Sequence, residues 1–158
     1  MSDFGEVCLF KIGWGEGLSS SLKTLQKLLA EARSRSGLND LVLIAGGTDK
    51  KLEFTDWAKT VKKTVKPENL FLLESSATTK MIDALNRLGY FGKTPPQLYL
   101  DFNILLTSAV KRAKILKGKK TLLFSPGAAS FEKFKNEFDR GEKFNRFFNK
   151  TRRKHDPA

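Results

Sequence analysis

Five apolar runs set the frame for this chain: VCLFKI at 7–12, LVLIAG at 41–46, NLFLLE at 69–74, QLYLD at 97–101 and KTLLFS at 120–125. They are near-continuous Leu, Val, Ile and Phe rather than apolar residues alternating with polar ones. That is the pattern of parallel strands covered on both faces. The segments between them carry a different period. Residues 18–34 place Leu18, Leu22, Leu25, Leu28, Leu29 and Ala32 on one helical stripe. Residues 54–65 do so with Trp57, Val61 and Val65, residues 77–88 with Met81, Ala84, Leu85 and Leu88, and residues 103–116 with Ile104, Leu105, Ala109, Ala113 and Leu116.

Strand and helix therefore alternate, which predicts an α/β fold: a three-layer Rossmann-like domain with a mostly parallel sheet and right-handed crossovers. The stretch GYFGKTPPQ at 89–97 is expected to be a surface loop, its Pro95–Pro96 pair closing any helix before it. At 158 residues the chain has the size of one domain and needs no disulfide or metal to bury about two thirds of its unfolded surface. No apolar stretch approaches the roughly 18 residues of a membrane span. The start, MSDFGEVCLF, lacks a basic region ahead of an apolar core, so a cytoplasmic location is expected. The single cysteine, Cys8, and the single histidine, His155, exclude zinc sites and Cys/His nucleophile schemes by inventory, and Cys8 reads as a buried strand residue.

A formal charge of +12 attracts phosphates, nucleic acid or anionic substrates. The cations are spread over many segments, among them Lys62, Lys63, Lys66, Lys111, Arg112, Lys114, Lys117, Lys119 and Lys120. Only NKTRRKHDPA at 149–158 is a cluster, read as a basic flexible tail. Most Phe residues fall in strand runs or on helix faces rather than on an exposed stacking platform, which argues against a nucleic-acid partner.

Two glycine-rich stretches imitate nucleotide loops. GWGEG at 13–17 lacks the third glycine of a dinucleotide fingerprint, Leu18 standing after it, and places Trp14 and Glu16 where a pyrophosphate would approach. GYFGKT has Arg87 where a P-loop needs glycine, follows a helix and runs into Pro95. Two other strand ends are better ligand seats. IAGGTDKKLEF at 44–54 turns sharply at Gly46–Gly47 and offers a polar tip from Thr48 to Lys51, read either as a solvated turn or as a site. SPGAASF at 125–131 leaves another strand end. There Ser130, followed by Glu132, serves either as a plain helix cap or as part of a ligand seat. In a parallel sheet both stretches share one edge, so Lys50 and Ser130 together would suit a carboxylate or phosphate.

LVLIAGGTDKKLEF and LLFSPGAASFEKFKNEFDRGEKF, with the order and spacing of the chain from about residue 40 to 148, resemble the C-terminal domain of the D-glutamate-adding branch of the Mur ligase family. The resemblance implies a Mur ligase C-terminal, D-glutamate-binding domain over residues 1–148, divergent over 1–20. It implies a share in ATP-dependent ligation during peptidoglycan precursor synthesis, in which the carboxylate of UDP-MurNAc-L-alanine is activated as an acyl phosphate and attacked by the amine of D-glutamate. Lys50 would grip the side-chain carboxylate of D-glutamate, Ser130 and Phe131 would add hydroxyl and backbone contacts, and the aromatic later in the motif falls on Phe138, or on Glu137 in the alternative register. ATP and Mg would be bound mainly by central and N-terminal ligase domains that this chain lacks, so the chain alone is not expected to turn over. The family's Asp-Ser-x-Ala-Thr-x-Pro stretch has no counterpart in KIGWGEGLSSS at 11–21. The competing reading is a basic Rossmann-like module for nucleic acid or an anionic small molecule.

Overall fold

A computed structural model describes residues 7–11, 26, 27, 30, 41–49, 51–117, 120–124, 134, 135 and 137–155. The side chains of 7–11, Lys120, Glu137 and 151–155 are outside that description. The elements run β1 (Val7–Lys11), β2 (Leu41–Ala45), α1 (Thr55–Thr64), β3 (Leu70–Leu73), α2 (Ser76–Arg87), β4 (Gln97–Tyr99), α3 (Phe102–Ile115), β5 (Lys120–Phe124) and α4 (Glu137–His155). A 3-10 turn at Pro67–Asn69 leads into β3. The described strands form one sheet in the order β1-β5-β2-β3-β4, and each pairing between them is parallel.

Period-2 geometry explains why these strands read as continuous apolar runs. Leu41, Leu43, Ala45, Leu70, Leu72 and Leu123 point to one face, where Trp57, Ala58 and Val61 of α1 and Ala77, Met81 and Leu85 of α2 close the core. Val42, Ile44, Phe71, Leu73, Leu122 and Phe124 point to the other, against Leu105, Leu106, Ala109 and Ala113 of α3 and Phe144 and Phe148 of α4. Both faces of β2, β3 and β5 are covered, so the three-layer α/β architecture stands as expected, while QLYLD, expected to be covered on both sides, forms an edge strand that leaves Leu98 44% exposed.

Local departures have physical causes. The α3 stripe is rotated: Ile104 is 59% exposed, while Leu106 and Val110 are buried with Leu105, Ala109 and Ala113. Asp101, whose carboxylate accepts from Ile104 N at 2.9 Å, caps that helix one residue earlier than the periodicity placed it. The loop after α2 is on the surface only in part, because Tyr90 and Phe91 are buried in the core as a T-shaped pair. Two of the dispersed cations make specific hydrogen bonds to the fold. Lys62 Nζ donates to Leu88 O at 2.7 Å at the end of α2, and Arg112 Nε donates to Asn69 Oδ1 at 2.8 Å. The basic run from 149 continues α4 as helix to His155 rather than leaving the fold as a tail at once. Residues 26, 27 and 30 are helical, in keeping with the stripe over 18–34, but the rest of that segment and GWGEG lie outside the described residues. Cys8 pairs with Thr121 in β1, its side chain undescribed.

The hydroxyl of Tyr90 donates to Val65 O at 2.8 Å, and burial, helped by the charge of Glu68, pushes its pKa up beyond the usual phenol range. A folded-state pKa above the unfolded one means that the stabilisation is complete below about pH 10 and is lost as pH rises past that point. Denaturant unfolding between pH 8 and 11 should therefore show a steep alkaline loss that Tyr90→Phe flattens. The variant itself should cost about 1 kcal/mol for the missing hydrogen bond.

Candidate ligand site at the carboxyl edge of the sheet

Chain direction across the sheet locates the site. From β2 to β3 to β4 the connections carry α1 and α2 over one face, whereas β5 sits on the other side of β2 and is followed by α4 on the opposite face. The helices that follow β2 and β5 thus lie on opposite faces, and in open parallel sheets such a divergence is where ligands settle beyond the carboxyl ends of the strands. The strands are direct neighbours, Ile44 lying opposite Phe124. The two stretches singled out in the sequence leave from these adjacent ends.

The turn after β2 is built tightly. Gly46 has φ 122°, and a Cβ there would collide with the Leu73 carbonyl and press on Thr78 Oγ1. Thr78 Oγ1 in turn donates to Leu73 O and shares a hydrogen bond with Ser75 Oγ at 2.8 Å. Gly47 O accepts from Ala77 N at 3.0 Å, and Asp49 N donates to Ser76 Oγ at 2.8 Å. The Asp49 carboxylate pairs with Lys80 Nζ at 2.7 Å and accepts from Leu52 N at 3.1 Å. The hydrogen bond from Lys80, followed by the one from Leu52 N, holds the Asp49 carboxyl below its ordinary value. Lys51 takes a left-handed conformation at φ 60°.

Beyond β5 the described residues resume at Phe134. Phe124 and Phe134 both pack on Phe102, at ring distances of 5.4 and 5.0 Å, and Phe144 of α4 stacks on Phe124 at 4.9 Å. Arg140, buried on α4, lies 5.9 Å over the Phe124 ring. Asp139 Oδ2 accepts from Lys135 N at 3.0 Å and meets Lys143 Nζ at 3.2 Å, and these contacts, the Lys135 amide first, lower its pKa. The helix expected to open at Ser130 is described only from Glu137, with Phe134 and Lys135 in a bend.

Of the four site residues named from the sequence, Phe138 alone is described, in the first turn of α4 and 57% exposed. Lys50, Ser130 and Phe131 lie outside the described residues, Lys50 between the described Asp49 and Lys51. The contribution of α2 went unread in the sequence. Ser76 and Lys80 belong to ESSATTK at 74–80, and a run of Ser and Thr between a strand and a helix is the signal that would have marked it as part of the same edge. A further cavity of about 120 Å³ opens beside this turn, lined by Leu52, Phe54, Lys80, Asp83 and Arg87 among others.

GYFGKT gives a turn, Thr94 N bonding Phe91 O, that leads into β4 rather than into a helix, so it has no helix N-terminus with which to cradle a phosphate. Among the described residues no three His, Cys, Asp or Glu gather as a metal site. Among the same residues no helix is long and apolar enough to cross a membrane.

No protein-family model matches the chain. The chain resembles a segment of UDP-N-acetylmuramoylalanine–D-glutamate ligases. It is 39% identical over 111 residues to the enzyme so named from Borreliella burgdorferi (strain ZS7), an alignment covering 70% of this chain and 22% of that one. It is 35% identical over 119 residues to the Roseiflexus sp. (strain RS-1) ligase, covering 74% of this chain and 24% of the relative. Against the Treponema pallidum (strain Nichols) ligase the identity is 35% over 106 residues, covering 66% and 18%. The chain thus spans about a fifth of the length of the curated relatives it matches.

Proposed function

We propose that this chain supplies the D-glutamate site and the closing domain of a ligase that joins D-glutamate to UDP-MurNAc-L-alanine, acting in the cytoplasm. The observation that supports the reading is that β2 and β5, the strands the two motifs follow in sequence, are parallel neighbours. Their carboxyl ends lie side by side, and the helices after them cover opposite faces of the sheet, the arrangement that favours a ligand at this edge. Residues 1–148 form the domain. Lys50 meets the side-chain carboxylate of D-glutamate, Ser130 and Phe131 add hydroxyl and backbone contacts, and Phe138, exposed on α4, packs against the bound ligand. A charge-assisted contact of this kind positions the amine for attack more than it activates it, and its strength rises when a neighbouring domain shuts water out. ATP and Mg are assigned to the other domains of the ligase, which supply activation of the acceptor carboxylate.

The test uses the full-length ligase carrying this segment, with labelled glutamate. D-glutamate should enter the UDP-linked product and L-glutamate should not. The 158-residue chain alone should hydrolyse no ATP. Absence of D-glutamate incorporation by the full-length protein, or ATP turnover by the pure chain, would overturn this division of labour.

A further inference from the structure

We propose that the Asp49–Lys80 ion pair is a positioning device for the ligand loop after β2, fixing the backbone on both sides of Lys50. This inference rests on the D-glutamate reading of that loop. Asp49 is tied at three atoms: its amide donates to Ser76 Oγ at 2.8 Å, Oδ2 meets Lys80 Nζ at 2.7 Å, and Oδ1 accepts from Leu52 N at 3.1 Å. The last contact closes residues 49–52 into a turn, and within it Lys51 is held at φ 60°, a backbone state that a lysine adopts where its surroundings impose it. The anchors Ser76 and Lys80 both belong to α2, a rigid element whose buried face carries Ala77, Thr78, Met81, Ala84 and Leu85.

A lysine that grips a carboxylate has a long side chain to immobilise. A preset backbone lowers the cost of doing so and so appears in affinity for the ligand. Lys80 meets the loop at the Asp49 carboxylate, so its effect on a ligand passes through Asp49. It is a positioning residue.

Two measurements separate this role from plain stability. In the 158-residue chain, amide exchange at Leu52 should speed up by about tenfold or more in Lys80→Met and Asp49→Ala, while Lys80→Arg, which can still pair with the carboxylate, stays near the parent. In the full-length ligase, Lys80→Met and Asp49→Ala should raise KM for D-glutamate by about five- to tenfold, with kcat and KM for ATP within about twofold, and the double variant should be no worse than the weaker single one. Lys80→Arg should restore the parental KM. Unchanged Leu52 exchange would remove the clamp. An active parent whose variants keep their KM for D-glutamate, or lose kcat and both KM values together, would remove the positioning role alone. A parent that does not use D-glutamate would overturn the functional reading and this inference with it.

Discussion

Gly46→Ala is expected to lower the stability of the chain by roughly 3–5 kcal/mol, the sum of a strained φ and an overpacked contact. At φ 122° an L side chain is disfavoured wherever it stands, and here its Cβ would also meet the Leu73 carbonyl, a backbone atom that cannot swing aside. The strain propagates. Leu73 O already accepts from Thr78 Oγ1, and moving it disturbs the start of α2, on which the turn after β2 depends. Gly92→Ala is the matched control, because Gly92 also has a positive φ, 56°, but a Cβ there meets nothing within 4 Å. That variant should lose only about 1 kcal/mol. For a chain of this size the contrast is roughly 10 °C in Tm against 2–4 °C, or a clear separation of urea midpoints. Equal losses would show that the close approach of β2 to β3 is not what selects glycine at position 46.

Lys50→Ala in the full-length ligase should raise KM for D-glutamate about tenfold to a hundredfold, since a charge-assisted contact is worth on the order of 1.5–3 kcal/mol. KM for ATP should barely move. Lys51→Ala provides the comparison within the same turn. Lys51 is exposed and its backbone conformation is unaffected by the change, because alanine keeps the Cβ. The acid limb of the pH profile adds a second reading. The carboxyls of Asp49 and Asp139 are both lowered, the first by contacts within and beside the turn after β2, the second by the Lys135 amide and Lys143. Such stabilisation is present above the unfolded value of about 3.9 and is lost as pH falls through the folded one, so neither set of contacts should loosen between pH 5 and 8. Equal effects from the two lysine variants, or a loss confined to ATP, would reduce the tip after Gly47 to a solvated turn.

The strands were legible because doubly covered parallel strands leave an unmistakable apolar run, and the split of Leu41, Leu43 and Ala45 from Val42 and Ile44 follows from the pleat alone. The faces of α1 and α2 were legible for the same reason, one broad apolar stripe meeting one core. α3 was harder. It touches both the strands and α4, so its buried surface is wider than one stripe, and Leu106 and Val110 belong to it while Ile104 does not. Tyr90 and Phe91 sit in a loop, where no period exists to show that they turn inward. At the candidate site, the glycine pair and the strand ends were visible, but the anchoring of Asp49 by Ser76 and Lys80 joins residues 27 and 31 positions apart and exists only once β2 and β3 are side by side.

The strand order also bears on how the chain is made. β2, β3 and β4 are consecutive neighbours and can zip together as they emerge, with α1 and α2 already at hand to cover one face. Among the described residues β1 has a single pairing partner, β5, in the register Val7 to Lys120. At synthesis rates of about 5–20 residues per second, the roughly 110 residues between them keep β1 without its neighbour for on the order of ten seconds on the ribosome. The β1 edge of the sheet is therefore the last to close, and until then β1 is a segment for chaperones to guard.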